Sequence, residues 1–273
     1  MVIGLFLLLQ IYIFIEQITE IIAIFDFMIP KIIHLCWLGG DPYPGLIRRC
    51  LRSWERVLPE YEVKLWNRET FDVDSVPFVR DAVSVRQWAP AADYIRLWAL
   101  NRYGGIYMDS DVFVRRSFDD LLNRDFFTAV ERLGPDPTQV GIQAAVLGSV
   151  PSHPFLAACM KYYEESPFFL PDGSYAIQKM TAPGWYAQVA SASFGFERAD
   201  RQQELRDGML ILPSSEIHSS LLNVPRDCRA VHCCNGDWNI WAKRKFRQKA
   251  YRRMMPLLLW RVEMGDRLRG GRV

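Results

Sequence analysis

The segment from Ala91 to Asp111 constrains the fold more than any other part of the chain. Ala91–Tyr103 has the apolar spacing of a buried helix, and Gly104-Gly105 ends it. Ile106-Tyr-Met108 then predicts a buried strand that leads directly into the acidic triplet Asp109-Ser110-Asp111. A helix, a strand and a charged loop in this order are typical of an open α/β sheet whose ligand binds at the strand ends.

The rest of the first half repeats this alternation of strands and helices. Lys31–Trp37 and Tyr61–Trp66 predict strands, and Leu46–Val57 predicts a helix between them. Further strands are expected at 126–130, 144–147, 209–212 and 229–232, and further helices at 154–165 and 185–194. The pattern predicts an α/β fold with a mostly parallel central sheet covered by helices on both faces.

Composition supports one substantial domain with appendages. The chain has 273 residues, of which 50% are hydrophobic and 13% aromatic, enough for a large core. Six cysteines without a CxxC pair favour reduced intracellular thiols over a disulfide framework.

The two termini differ from the body. Residues 1–27 form a hydrophobic segment without the basic start of a signal peptide, and its uncharged run is short for a membrane span. It is an anchor, a helix packed on the domain, or sequence upstream of a true start at Met28. Residues 28–241 are the expected catalytic domain, and 242–273 form a basic, partly apolar tail.

Charge is divided unevenly between body and tail. From Asn239 to Val273 there are 11 Lys and Arg against two acids, whereas the first 238 residues carry 22 Lys and Arg against 29 acids. The tail is either a solvated basic helix or a segment that docks on an anionic membrane. We expect a cytoplasmic protein, peripheral at the inner face of the membrane. Basic residues confined to one tail do not indicate a nucleic-acid binder.

Both carboxylates of the triplet are expected at the carboxyl end of a sheet strand, although a solvated acidic turn is the alternative. Carboxylates there suit a hard divalent cation, Mn²⁺ or Mg²⁺, with phosphate oxygens and water completing the shell. Asp93 and Arg96 share a face of the apolar helix. Burying their charges there would be energetically costly unless they pair with each other or bind a ligand. They form an internal ion pair, or they bind sugar hydroxyls and phosphate. Trp37 either packs in the core or stacks on a nucleobase.

These residues carry a resemblance to a known family. Ile29–Gly40, Ala92–Leu100 and Tyr103–Asp111 resemble the DXD-containing glycosyltransferase family 32, which includes yeast mannosyltransferases and bacterial capsular polysaccharide transferases. It is more distantly similar to the glucosylating domains of clostridial toxins. The resemblance implies a GT-A type fold and retaining transfer of a hexosyl group from a nucleotide-diphosphate sugar, with UDP or GDP as nucleotide and a glycan or lipid-linked acceptor.

The resemblance also implies roles for single residues. Asp109, Asp111 and Arg96 would be catalytic, with Asp109 and Asp111 on the metal. The donor would contact Trp37, Asp93, Arg96, Tyr107, Asp109 and Trp238. Val231–Trp238 resembles the closing motif of the family, but Cys233, Cys234 and Asp237 replace its His, Trp and Ser. His232 or Asp237 is therefore a further candidate ligand.

The expected mechanism is attack by the acceptor on the face that the diphosphate leaves, since no nucleophile for a double displacement is evident. Gln143 and Thr181 are candidates for the far side of the donor sugar. Two other functions remain open: a metal-dependent sugar-nucleotide hydrolase built on the same acidic turn, and an inactive nucleotide-sugar binding module.

Overall fold

The computed structural model describes residues 28–134, 136, 138–175, 180–234 and 246–269. Within these ranges the chain passes in order through β1 (Ile32–Cys36), α1 (Gly45–Val57), β2 (Glu62–Trp66), α2 (Pro77–Ser84), α3 (Trp88–Tyr103), β3 (Gly105–Met108), β4 (Val112–Val114), β5 (Phe126–Arg132), β6 (Val140–Ile142), β7 (Val146–Ser149), α4 (Pro154–Glu165), α5 (Ala182–Val189), β8 (Gln203–Glu204), β9 (Met209–Leu212), β10 (Ile217–His218), β11 (Ala230–His232) and α6 (Phe246–Leu268). The predicted N-terminal hydrophobic segment lies outside the described residues.

The central sheet has the strand order β2-β1-β3-β7-β5-β9-β8, and β6 pairs with β5. The α/β class predicted from the sequence is therefore confirmed. The sheet is mostly parallel, as predicted, because β2, β1, β3, β5 and β9 run in the same direction. It also contains reversed strands: β7 runs antiparallel to both β3 and β5. The short connections from β5 through β6 to β7 contain no crossover helix, and without such a crossover a returning strand pairs antiparallel.

Alternating residues of the strands face two different core clusters. In β3, Tyr107 points into a cluster covered by α2, α3, α4 and α5, whereas Ile106 and Met108 point into a cluster covered by Trp54 of α1. β5 alternates in the same way, with Phe126 in the first cluster and Phe127 in the second. Helices thus cover both faces, as predicted.

A second, three-stranded sheet in the order β10-β11-β4 lies next to the acidic triplet. β4 begins directly after Asp111 and pairs antiparallel with β11, so that Val112 is opposite His232. Two hydrogen bonds join helix α1 to β4: the Trp54 indole donates to the Val112 carbonyl at 2.7 Å, and the Val114 amide donates to the Ser53 hydroxyl at 2.9 Å. The pairing of β4 with β11 brings His232, which is far from Asp111 in sequence, to the end of β3.

Helix α6, in the region expected to be a basic tail, packs against the body. Leu258 and Leu259 are buried in a cluster with Phe113 of β4. A buried ion pair joins Arg115 to Asp266 at 2.6 Å. The boundary at residue 242 stays a prediction, but α6 contributes to the packing around β4 and β11.

Several elements differ from the sequence-based expectations. The strand expected at 144–147 begins at Val146, because Ala144 and Ala145 form the turn that leads into it. The helix expected at 185–194 begins at Ala182 and ends in a wider turn from Ala190 to Phe194. Helix α2 was not predicted, since Pro77 at its start reads as a turn signal although proline is well tolerated in the first turn of a helix.

We expect Trp54→Phe to lower the free energy of unfolding by about 1–3 kcal/mol, because it leaves the buried Val112 carbonyl without its donor. Trp54→Ala should cost more, about 3–5 kcal/mol, through the added cavity. Urea denaturation followed by circular dichroism measures both. Trp260→Phe, at a residue that is 51% exposed, is the control and should stay within about 0.5 kcal/mol of the unsubstituted chain. Equal stability of Trp54→Phe and the unsubstituted chain would show that the indole does not support β4.

Candidate active site

The acidic triplet turns sharply at the end of β3. The Asp109 amide donates to the Ala145 carbonyl at 2.9 Å, and the Val112 amide donates to the Asp109 carbonyl at 3.0 Å. Gly105, with φ of +102°, lets β3 approach β1 closely, since a Cβ there would lie 2.6 Å from the Ile32 carbonyl oxygen. The Tyr107 hydroxyl donates to Asp109 Oδ1 at 2.7 Å and holds this carboxylate in place.

The carboxylates of Asp109 and Asp111 converge on the imidazole of His232. Its Nε2 lies 3.4 Å from Asp111 Oδ1 and 3.9 Å from Asp109 Oδ2. Each of the three residues offers one candidate ligand atom, and these three atoms lie within 4.8 Å of one another. Two carboxylates and an imidazole suit a divalent cation such as Mn²⁺, and three protein ligands leave positions for phosphate oxygens and water. The residues present therefore fit the metal that the sequence predicted.

The other ring nitrogen of His232 faces Cys234. Nδ1 lies 3.6 Å from the Cys234 thiol, which donates to the Ser219 carbonyl at 3.3 Å. Burial alone would lower the pKa of His232, but Cys234 and Asp111 raise it well above its ordinary value. In the absence of a cation the imidazole is therefore protonated between the carboxylates. Metal binding at Nε2 must displace that proton.

Arg96 is a buried cation that connects helix α3 to the end of β3. Its guanidinium lies 2.8 Å from Asp93 and 3.3 Å from Asp109, and it donates to the Ala144 carbonyl at 2.5 Å. It also lies over the Tyr107 ring, 4.6 Å from the centroid. The internal ion pair considered for Asp93 and Arg96 is thus present, and both residues also line the cavity in front of the triplet. Burial raises the pKa of Asp93 to about 7, although Arg96 opposes this.

A single cavity of about 380 Å³ contains the triplet, the Asp93–Arg96 pair and His232. Trp37 lies at the end of β1 on its wall, where its indole donates to the Asp41 carbonyl at 2.7 Å and contacts the Tyr43 ring. Gln143 and Thr181, predicted for the far side of the donor sugar, also line this cavity. The structure therefore brings together Trp37, Asp93, Arg96, Tyr107, Asp109, Asp111, Gln143, Thr181 and His232; the roles assigned to them stay predictions.

Two cavity residues were missed at the sequence level. Trp88 begins α3 near Trp37 and offers a second indole. Glu131 lies near the end of β5, immediately after the predicted strand 126–130. A carboxylate directly after a buried apolar run was the available signal for Glu131, the same signal that identified Asp109.

Part of the predicted closing motif lies outside the described residues. Trp238, Asp237 and Gly236 fall in the range 235–245, outside the described residues. Their predicted contacts with donor and metal stay predictions. His232, the first matching residue of the motif, lies at the triplet as described above.

Comparison with known proteins agrees with this geometry. Residues 44–128, which include Asp93 to Asp111, match the family model described as "Glycosyltransferase sugar-binding region containing DXD motif". This part of the chain is therefore similar to the DXD-containing glycosyltransferases. The resemblance predicted from the sequence motifs is thereby confirmed.

Curated relatives agree with this assignment. Inositol phosphoceramide mannosyltransferase 2 of Schizosaccharomyces pombe is 32% identical over 181 residues, covering 64% of this chain and 48% of the relative. Mannosyl phosphorylinositol ceramide synthase CSH1 of Saccharomyces cerevisiae is 31% identical over 141 residues, covering 49% of this chain and 35% of the relative. The chain thus spans about half the length of these relatives or less.

Among solved structures, the PaToxG glycosyltransferase is similar, with 16% identity and a TM-score of 0.46 over 60% of this chain and 70% of that chain.

Within the described part of the chain, no helix combines the length and the apolar character needed to cross a bilayer.

We expect Mn²⁺ to raise the melting temperature of the chain, because a ligand that binds only the folded state stabilises it by about 2.7 kcal/mol at 100 times its Kd. Asp111→Asn should remove most of this shift. Asp41→Asn, which neutralises another carboxylate of the same cavity outside the three-ligand cluster, is the matched control and should keep it.

The Mn²⁺ shift should also depend on pH. Because the pKa of His232 is raised, the proton competes with the cation even above the usual imidazole range, and binding should strengthen as pH rises through that range. Differential scanning fluorimetry at several pH values measures this. An Mn²⁺ shift that Asp111→Asn leaves intact would place the cation elsewhere.

Proposed function

We propose that this chain is a metal-dependent, retaining glycosyltransferase that moves a hexosyl group from a UDP- or GDP-sugar to a glycan or lipid-linked acceptor. The observation that carries the proposal is the convergence of Asp109, Asp111 and His232 in the same cavity as Arg96 and Trp37. If the triplet were only an acidic turn exposed to solvent, there would be no reason for the buried Arg96 and for His232 of the distant strand β11 to lie beside it. The family match covers the helix, the strand and the triplet that build this cavity.

Each group has a task that its position permits. A bound Mn²⁺ or Mg²⁺ would neutralise charge on the departing diphosphate and orient it. Arg96 is a fixed donor for a diphosphate oxygen or a sugar hydroxyl, and its electrostatic effect is strong because its own side chain is buried. Asp93 accepts a hydrogen bond from a hydroxyl of the donor sugar, Tyr107 holds Asp109 in position, and Trp37 stacks on the base.

The names of the relatives suggest the substrates to test first. One is an inositol phosphoceramide mannosyltransferase and the other a mannosyl phosphorylinositol ceramide synthase, so both names contain a mannosyl group and an inositol-phosphate ceramide. We therefore propose a mannosyl donor and a phosphoinositol-type lipid headgroup as the first pair, with capsular or other polysaccharide synthesis as the wider alternative.

A sugar-nucleotide hydrolase would use the same cation and diphosphate contacts but transfer the sugar to water. It predicts donor breakdown at a rate that no acceptor changes. An inactive binding module predicts nucleotide-sugar binding without breakdown. The intact cluster of three ligands favours an enzyme over the binding module.

We expect Asp111→Asn to reduce transfer at least about 100-fold, the loss typical of removing one group that stabilises transition-state charge. The measurement is release of nucleoside diphosphate from a panel of UDP- and GDP-sugars with Mn²⁺, with and without acceptor. Asp74→Asn, at an exposed acid outside the cavity, should keep full activity. Near-normal transfer by Asp111→Asn would remove the proposed metal role.

We also propose that α6 docks the enzyme on an anionic membrane surface. Met254, Leu257 and Trp260 lie three residues apart on its exposed side, between 47% and 57% exposed. Arg253 and Arg261 are exposed beside them. An apolar stripe flanked by arginines suits the interface of an anionic leaflet, where each basic residue contributes about 1 kcal/mol. The cytoplasmic location expected from the sequence stays a prediction.

Since α6 packs on the core, point substitutions test this docking better than a deletion. The double variant Leu257→Glu, Trp260→Glu should lose sedimentation with phosphatidylserine–phosphatidylcholine vesicles several-fold, because both the apolar contact and the positive charge of the helix face are reduced. Val63→Glu, at a half-exposed apolar residue of β2, is the control and should sediment like the unsubstituted chain. Equal sedimentation of both variants would contradict docking through α6.

A further inference from the structure

Glu131 is an acidic residue of the cavity that belongs neither to the three-ligand cluster nor to the Asp93–Arg96 pair. The Ser219 hydroxyl lies near its carboxylate, where it lowers the pKa of Glu131. This hydroxyl is itself held in place: it accepts from the Gln143 amide at 2.7 Å, and the Gln143 carbonyl oxygen accepts from the Ala145 amide at 2.9 Å. The single proton of Ser219 thus remains for the carboxylate on the cavity wall.

The strand order places Glu131 relative to the cation. Both β3 and β5 run antiparallel to β7, so their carboxyl ends, which carry Asp109 and Glu131, lie at the same edge of the sheet. Trp37 follows β1, on the other side of β3. Neighbouring strands are about 4.8 Å apart, which puts β5 roughly 10 Å beyond β3, in the direction away from Trp37.

This order can be mapped onto a nucleotide sugar, an argument that rests on the proposed function. If the base lies at Trp37 and the diphosphate at Asp109 and Asp111, then the sugar and the acceptor extend toward β7 and β5. Asp93 and Arg96 reach the cavity from α3, whereas Glu131 reaches it from the sheet beyond the diphosphate. Glu131 is therefore on the side from which an acceptor approaches.

We propose that Glu131 is the centre of an acceptor subsite, where its carboxylate accepts a hydrogen bond from a non-reacting hydroxyl of the acceptor, a polyol such as a sugar or an inositol headgroup, and so positions the attacking hydroxyl. In the transfer step, the acceptor oxygen forms a bond to the anomeric carbon. The bond from that carbon to the diphosphate oxygen breaks, and its electron pair stays on the diphosphate. The hydroxyl proton passes to the departing phosphate oxygen, so that Glu131 begins and ends the step ionised.

The surroundings of Glu131 suit this role. Burial raises the pKa of Glu131 above its ordinary value, and Asp109 adds to this; the charge of Arg96 and, in the cation-free protein, that of protonated His232 oppose it. Glu131 is half-buried, and a carboxylate can accept about four hydrogen bonds, so it retains acceptor capacity for a ligand beside the Ser219 hydroxyl. A hydrogen bond from a ligand hydroxyl to an ionised carboxylate is about twice as strong as one between neutral groups.

The test is steady-state kinetics of Glu131→Gln and Glu131→Ala with a mannosyl donor and an inositol-containing lipid acceptor, together with nucleoside diphosphate binding and acceptor-free donor hydrolysis. We expect kcat/KM for the acceptor to fall on the order of 10- to 100-fold in Glu131→Ala, the loss of one charge-assisted hydrogen bond, and less in Glu131→Gln. Nucleotide affinity and donor hydrolysis should stay within about twofold, since the diphosphate contacts are intact. Glu62→Gln, at an exposed acid of β2, is the control and should match the unsubstituted chain.

Three outcomes would overturn the acceptor subsite. An equal loss of donor affinity would make Glu131 a donor contact. A glycosylated Glu131, trapped without acceptor and detected by mass spectrometry, would make it a nucleophile. Unchanged acceptor kinetics in both variants would leave it no part in the reaction.

The nearly isosteric Glu131→Gln keeps the test valid if Glu131→Ala is unstable. Absence of transfer by the unsubstituted chain would instead contradict the proposed function, so the two failures can be told apart.

Discussion

The buried guanidinium of Arg96 is the interaction on which the site depends. A cation in an apolar helix is stable only if its charge and its hydrogen bonds are satisfied, and Arg96 meets this requirement through Asp93, Asp109 and the Ala144 carbonyl. These partners belong to the helix itself, to the loop after β3 and to the turn before β7. One side chain therefore fixes three segments of the cavity wall relative to one another, and the carboxylates of the triplet are positioned before any ligand binds.

The second constraint is the antiparallel pairing of β4 with β11. It places His232 beside Asp111 and so adds an imidazole to the two carboxylates of the acidic loop, a group that could hold a cation. Helix α1 holds β4 from one side through Trp54, and α6 covers the same region through Leu258 and Leu259. The basic C-terminal helix thus has two faces with different tasks, one packed behind the ligand cluster and one exposed.

Local patterns in the sequence were sufficient to predict the parts of this fold that depend on short-range signals. The helix that ends at Gly104, the strand before Asp109 and the α/β class all follow from apolar periodicity and turn residues. The reversal of β7 could not be predicted in this way, because strand direction depends on pairing between distant segments. Glu131 follows a buried apolar run as Asp109 does, but this local signal does not show that β5 lies two strands from β3 at the same cavity. His232 was found through the resemblance to the family and not through its local sequence.

The central claim is that a cation held by Asp109, Asp111 and His232 links the protein to a diphosphate. The most direct measurement is calorimetric titration of GDP and UDP with and without saturating Mn²⁺. The account predicts that Mn²⁺ tightens binding of at least one of the two nucleotides by about tenfold or more, within the usual range of coupling between two ligands. Equal affinities with and without the cation, for both nucleotides, would contradict it.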